Sequence, residues 1–220
     1  MVAERTKNLV LGVAVLVVMI AGASAGFFLR VRKLEPKGSE LTATAEAAGN
    51  LRIGDRFPDI ALAGADGKVI AVKDLLDGSH FVAVNFHHPD CPCAANCGKL
   101  ISAMGQAGYE DVRVLGILAT GWDDPRVIAA LDKQREEGIV TFPIVYDKDG
   151  AVRRLLGAKH TPELWLLDKD GRIAFYGAPE NTLFPDAPGH RNLLREAVDA
   201  LRRGERPAVT RYEPFGCEIE

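Results

Sequence analysis

The chain has 220 residues, 47% hydrophobic and 26% charged, with a formal net charge of −3. This balance excludes a disordered chain and offers no basic field for nucleic acid. Four cysteines are too few for a disulfide scaffold at this length, and three of them fall between positions 91 and 97, which is the pattern of a site rather than of staples.

Asn8 to Leu29 is a run of 22 residues without a charged side chain, long enough as a helix to span the hydrocarbon core of a bilayer. Arg5 and Lys7 precede it and Arg30, Arg32 and Lys33 follow, so flanking charge assigns no orientation. Two readings stand. Residues 1–33 are a membrane anchor, or they include a cleaved signal peptide. In the second case Arg5 and Lys7 form the basic start, Leu9 to Ile20 the apolar centre and Ala23-Ser24-Ala25 the cleavage site. The apolar run continues through Phe27, Phe28 and Leu29, which favours a transmembrane helix. Either reading puts the rest of the chain on the extracytoplasmic, periplasmic side. Residues 34–50, with Pro36, Gly38, Ser39 and no apolar stripe, read as a linker.

A folded domain is expected over residues 51–206, with residues 207–220 as a tail that carries Cys217. Ile60, Leu62 and then Val69, Ile70 and Val72 flank Asp66-Gly67, the signature of a hairpin. Phe81 to Phe86 predicts a buried strand, Ala94 to Ala107 a helix and Val112 to Leu118 a second buried strand. Pro125 to Glu137 predicts a helix with Val127, Ile128 and Leu131 as its apolar stripe. Phe142 to Tyr146 reads as a strand, and a short helix is expected around Leu155-Leu156. Leu164 to Leu167 and Ile173 to Tyr176 read as a hairpin turning at Asp168-Lys169-Asp170-Gly171. Asn192 to Arg203 closes the series as an amphipathic helix. The order predicts an α/β domain. Its central sheet is mixed, parallel in its first half and antiparallel at its end, with helices on both faces. Sites in such sheets lie beyond the C-terminal ends of the parallel strands.

The loop after Phe86 fits that rule. His87-His88-Pro89-Asp90-Cys91-Pro92-Cys93 leads into a helix that also carries Cys97. A thiol at a helix start meets unpaired backbone N–H groups and the positive end of the dipole, which favour thiolate, the nucleophile and the metal ligand. Redox chemistry and metal binding are the two readings. His87 and His88 are candidate sources of positive charge for Cys91. Cys91 and Cys93 are too close in sequence for an unstrained bridge.

The domain resembles the thioredoxin superfamily, and within it the redoxins of the alkyl hydroperoxide reductase/thiol-specific antioxidant type. The resemblance rests on Gly54-Asp55 with Pro58-Asp59-Ile60 and Asp66-Gly67-Lys68, on Val84-Asn85-Phe86 followed by Cys91, on Thr161-Pro162 before a strand, and on Leu166 to Ile173. It implies a thioredoxin-like fold, a cis-proline at Pro162, and Thr161 and Pro162 as a substrate-binding loop. It departs from thioredoxin, because Ala94 stands where the second cysteine of C-x-x-C belongs. It departs from peroxiredoxins, because Val84 and His88 replace the family's Pro and Thr. A redoxin subgroup with C-P after the strand and G-C-x-I in the tail is similar at Cys91-Pro92 and Gly216-Cys217-Glu218-Ile219. That resemblance implies Cys91 as attacking thiol and Cys217 as resolving thiol, with Cys93 and Cys97 as further candidates. The expected activity is that of an extracytoplasmic thiol–disulfide oxidoreductase or peroxiredoxin-like enzyme. Its partner would be a protein disulfide, a dithiol or a peroxide, and it would need no cofactor. The alternative is similarity to Sco-type copper chaperones, which implies copper or another soft metal held by Cys91, Cys93, Cys97 and His160. The Cys93-x-x-x-Cys97 spacing fits them, although its first cysteine stands two positions late.

Overall fold

The computed structural model describes residues 51–219 except Pro185. The expected membrane anchor and linker lie outside these residues. Among the described residues no helix is long and apolar enough to cross a membrane.

The domain opens with a hairpin, β1 (Ala61–Ala63) and β2 (Val69–Ala71), which forms a two-stranded sheet of its own. A single helical turn, α1 (Val72–Leu75), takes Val72 out of the expected strand. There follow β3 (Phe81–Phe86), α2 (Pro92–Ala103), β4 (Val112–Leu118), α3 (Pro125–Glu136), β5 (Ile144–Tyr146) and α4 (Ala151–Leu156). Next come β6 (His160–Thr161), β7 (Glu163–Leu167), β8 (Ile173–Gly177), α5 (Leu193–Arg202), β9 (Arg211–Tyr212) and β10 (Cys217–Glu218). The central sheet runs β5-β4-β3-β7-β8-β9. The strands β3, β4 and β5 are parallel, β7 is antiparallel to both β3 and β8, and β9 lies parallel to β8. This is the mixed sheet the element order predicts.

Alternation along the strands divides the core in two. From β3, Phe81 and Ala83 pack with Cys97 and Ile101 of α2, Val127 and Leu131 of α3, and Leu193, Leu194, Ala197 and Val198 of α5. Val82, Val84 and Phe86 face the other way, towards Val72 of α1 and Val152, Leu155 and Leu156 of α4. Helices therefore cover both faces, and β3 is buried along its whole length. The strand places the residue that follows it at the sheet's C-terminal rim.

The boundaries differ from expectation where backbone chemistry intervenes. Helix α2 begins at Pro92, whose missing N–H and fixed φ suit a first helical position, and it ends before Gly105, which turns the chain at φ 81°. Strand β5 begins only at Ile144, because Pro143 has no N–H for the ladder. The segment read as a polar tail holds two strands: β9 extends the main sheet and β10 pairs with β6.

His87 ties the rim to α3. Gln134 Nε2 donates to Pro89 O at 2.9 Å, so Gln134 Oε1 is the acceptor for His87 Nε2 at 2.8 Å. Burial lowers the His87 pKa to about 4, and burial likewise lowers that of His88. Neither ring supplies the positive charge near Cys91 that the sequence suggested. The depressed value has a stability consequence. An unfolded His takes up a proton below about pH 6.5 while native His87 stays neutral until about pH 4, so stability is full above the unfolded pKa and falls across that window. Denaturant titrations should show a loss on the order of 2–3 kcal/mol from this group by pH 4, and His87→Gln should flatten that slope. An unchanged slope in the variant would contradict the assignment.

Candidate functional site

The site is built where β3 delivers the chain to α2. Cys91 is the N-cap of α2, its amide hydrogen-bonded to His88 O at 3.1 Å and its carbonyl to Ala95 N at 3.0 Å. The side chain is 1% exposed, and its thiol donates to Thr161 O at 3.0 Å. Thr161 is joined to Pro162 by the expected cis peptide bond, and the Cys91 hydrogen bond to Thr161 O places this loop against the cysteine.

The same loop carries β10. Cys217 lies opposite Thr161 and Glu218 opposite His160 in an antiparallel pair. Ile219 N donates to Lys159 O at 2.9 Å, and the Arg153 guanidinium of α4 donates to Ile219 O. Asp147, buried, accepts from Val152 N at 3.1 Å and Arg153 N at 2.7 Å, which anchors that helix. Gly216 allows the close approach: with φ at 143°, a Cβ there would sit 2.2 Å from Thr161 O. The sulfurs of Cys91, Cys93 and Cys217 consequently lie within 4.8 Å of one another.

Cys97 and His160 are not part of this cluster. Cys97 is fully buried and its thiol points to Glu180 Oε2 at 3.8 Å. The His160 ring turns towards Glu163, Nδ1 to Oε2 at 4.0 Å. The ligand set expected from the Sco resemblance is therefore not assembled. The Cys93-x-x-x-Cys97 spacing could not reveal that Cys97 is buried against the sheet while Cys93, at the start of α2, reaches the rim.

The thiols differ in their environment. Burial opposes charge on Cys91, but the Cys217 thiol and the Ala94 and Cys217 amides favour the anion, and the Cys91 pKa is lowered. Cys217 is pushed up to about 12 by burial and by its hydrogen bond to Cys91. Cys93 is raised by burial and by the negative charge at Cys91. Burial and the Glu180 carboxylate push Cys97 far above the ordinary thiol range. Of these thiols Cys91 has the environment that most favours the thiolate, while those of Cys217 and Cys97 favour the protonated form.

Sequence reasoning missed the residues that hold the loop. Glu163, 1% exposed, accepts from Lys159 N at 2.8 Å, from His160 N at 3.0 Å and from the Tyr176 hydroxyl. An acid at the edge of an otherwise apolar strand was the available signal. Gln134 and Arg153 carried none, since both sit in polar-faced helices. Trp122 packs on the core edge beneath Lys148, whose Nζ lies 4.9 Å from the ring centre.

The family model described as AhpC/TSA matches residues 53–176. The chain belongs to the AhpC/TSA family. No curated protein matches it significantly. Two solved structures share the fold at TM-score 0.67 and 22% identity. A hypothetical protein from Sinorhizobium meliloti aligns over 78% of this chain and 96% of its own. An uncharacterized conserved protein from Geobacillus kaustophilus aligns over 77% and 92%. A peroxiredoxin 6 of Arenicola marina shares the fold at TM-score 0.51 and 16% identity, over 69% of this chain and 74% of its own. The AhpC/TSA match ends at Tyr176, so α5, β9 and β10 lie beyond it, and with them the third sulfur of the cluster.

Alkylation of the native protein at neutral pH should mark Cys91 and leave Cys97 unmodified. Arg153→Ala, which frees the Ile219 carbonyl, should speed Cys91 alkylation by about threefold or more by loosening β10. Mass spectrometry of the labelled peptides reads both. Equal labelling of Cys97 and Cys91 would overturn the assignment of roles.

Proposed function

We propose that this protein is a thiol–disulfide oxidoreductase, tethered to a membrane by its N-terminal apolar segment and working on the extracytoplasmic side, with Cys91 as the attacking thiol and Cys217 as the resolving thiol. The observation that carries this reading is the pairing of a lowered Cys91 pKa with a proton-holding Cys217 within 4.8 Å, both against the Thr161-Pro162 loop.

The chemistry balances as follows. The Cys91 thiolate attacks one sulfur of a substrate disulfide, forming a mixed disulfide as the substrate S–S bond breaks. The departing thiolate takes a proton, for which the Cys217 thiol is the near donor. The Cys217 thiolate then attacks Cys91 Sγ, releasing the second substrate sulfur, which solvent protonates. The substrate gains two electrons and two protons, and the protein is left with a Cys91–Cys217 disulfide that an external dithiol reduces. Closing that bond requires the sulfurs to move to about 2.05 Å. Thr161 and Pro162 present backbone to the substrate chain, and β10 must lift from β6 for a large substrate to reach Cys91. A protein disulfide is the favoured substrate because a resolving thiol stands ready in the same chain. The charge-free run from Asn8 to Leu29 supports the membrane tether.

In a disulfide-reduction assay with the full-length protein, Cys91→Ser should lower turnover by about 10³-fold or more. Cys217→Ser should accumulate a mixed disulfide on Cys91, visible as a mass increase that reductant removes. Full turnover by Cys91→Ser would end the assignment, and consumption of peroxide in preference to disulfide would change the substrate. In intact cells a membrane-impermeant thiol reagent should reach Cys93, whereas protection until lysis would contradict the location.

A further inference from the structure

The three sulfurs at the head of α2 form more than a pair of redox partners with a spectator. We propose that reduced Cys91, Cys93 and Cys217 constitute a three-coordinate site for a soft, thiophilic cation, with monovalent copper as the ion the donor set fits best. This goes beyond the disulfide chemistry and does not depend on it.

The donor set is the first ground. Three sulfurs converge within 4.8 Å, and among the described residues no His, Asp or Glu joins them. A metal at the centre of a sulfur triangle with bonds of about 2.3 Å requires sulfur separations of about 4.0 Å, and no sulfur pair here lies more than 4.8 Å apart. Sulfur-only ligation selects soft ions, and the lack of a fourth side-chain ligand disfavours zinc, which takes four in closed sites.

The second ground is that the ligands are held from two directions. Cys91 and Cys93 stand on the first turn of α2, while Cys217 comes from β10, fixed by its pairing with Thr161 and by the close approach of Gly216, whose Cβ position is 3.4 Å from Cys93 Cβ. Cys91 is shielded from water and Cys93 and Cys217 are half-buried, so an ion can enter from the rim and lose its hydration within the site. The backbone N–H groups of the first helical turn offset part of the thiolate charge. Coordination releases thiol protons to solvent, and a Cys91–Cys217 disulfide would remove two of the three ligands. Metal loading and oxidation therefore exclude each other. This ligand set places Cys217 where the sequence pattern suggested Cys97 and His160.

The test is an anaerobic titration of the reduced full-length protein with monovalent copper, against a chromophoric chelator of that ion. About one ion per chain is expected. Cys93→Ser and Cys217→Ser should each weaken binding by about tenfold or more, and Cys217→Ala should do the same, while Cys97→Ala and His160→Ala should leave affinity within about twofold. Circular dichroism identifies any variant that fails to fold, and the alanine and serine pair at Cys217 guards against such a failure. No retained copper, unchanged affinity in both Cys217 variants, or a loss confined to Cys97→Ala would overturn the proposal. Turnover without copper binding would refute only the metal site, and binding without turnover only the oxidoreductase reading.

Discussion

The pairing of two residues at the end of the chain with two residues before Pro162 is the contact on which the site depends. By itself a two-residue strand is weak, because each backbone hydrogen bond contributes only about 0.5–1.5 kcal/mol net. It persists because other elements grip it. Ile219 packs against the apolar layer formed with α1 and α4, Arg153 reaches its carbonyl, and Gly216 lets the backbone pass against Thr161. Asp147 caps the helix that presents Arg153, and Glu163 holds the loop that presents Thr161. The sheet thus positions one sulfur through β3 and α2, and the tail strand supplies another from more than a hundred residues away.

Cys91 and Cys97 show how far environment overrides residue type. They stand on one helix, both buried, and burial pushes each thiol upwards. Cys91 meets a thiol and backbone amides that can stabilise an anion, and its pKa falls. Cys97 meets the Glu180 carboxylate, and its pKa rises. Desolvation is common to both, so the neighbour's charge and its donor or acceptor character decide which way each thiol shifts. The same rule removes His87 and His88 from the electrostatics of the site, because burial leaves their rings neutral.

Much of the fold was legible because its signals are local. The continuous apolar run at Phe81–Phe86 marks a strand covered on both faces, and helices do cover both. Pro125 at a helix start and Gly150 and Gly157 at the ends of α4 act through their own backbone preferences. The tail was not legible: Arg211-Tyr212 and Cys217-Glu218 have no periodicity and become strands only because β8 and β6 offer free edges. At the site, Cys91 was legible from its place after a buried strand and before a helix. The exclusion of Cys97 and His160 was not, since helical spacing gives relative direction along one element and says nothing about which neighbour meets it.

The sequence alone determined that this is an α/β domain with a cysteine at a strand-to-helix turn, because apolar periodicity, turn residues and the Cys91-Pro92 junction act within a few residues of themselves. It also determined that a charge-free run long enough to span a bilayer precedes that domain, because length and hydrophobicity are additive properties of the chain. Only the tertiary structure decided which cysteines act together. The convergence of Cys91, Cys93 and Cys217, the isolation of Cys97 beside Glu180, and the turning of His160 towards Glu163 all depend on contacts between elements distant in the chain. Such contacts are set by packing and backbone pairing across the whole domain, and no local pattern of residues encodes them.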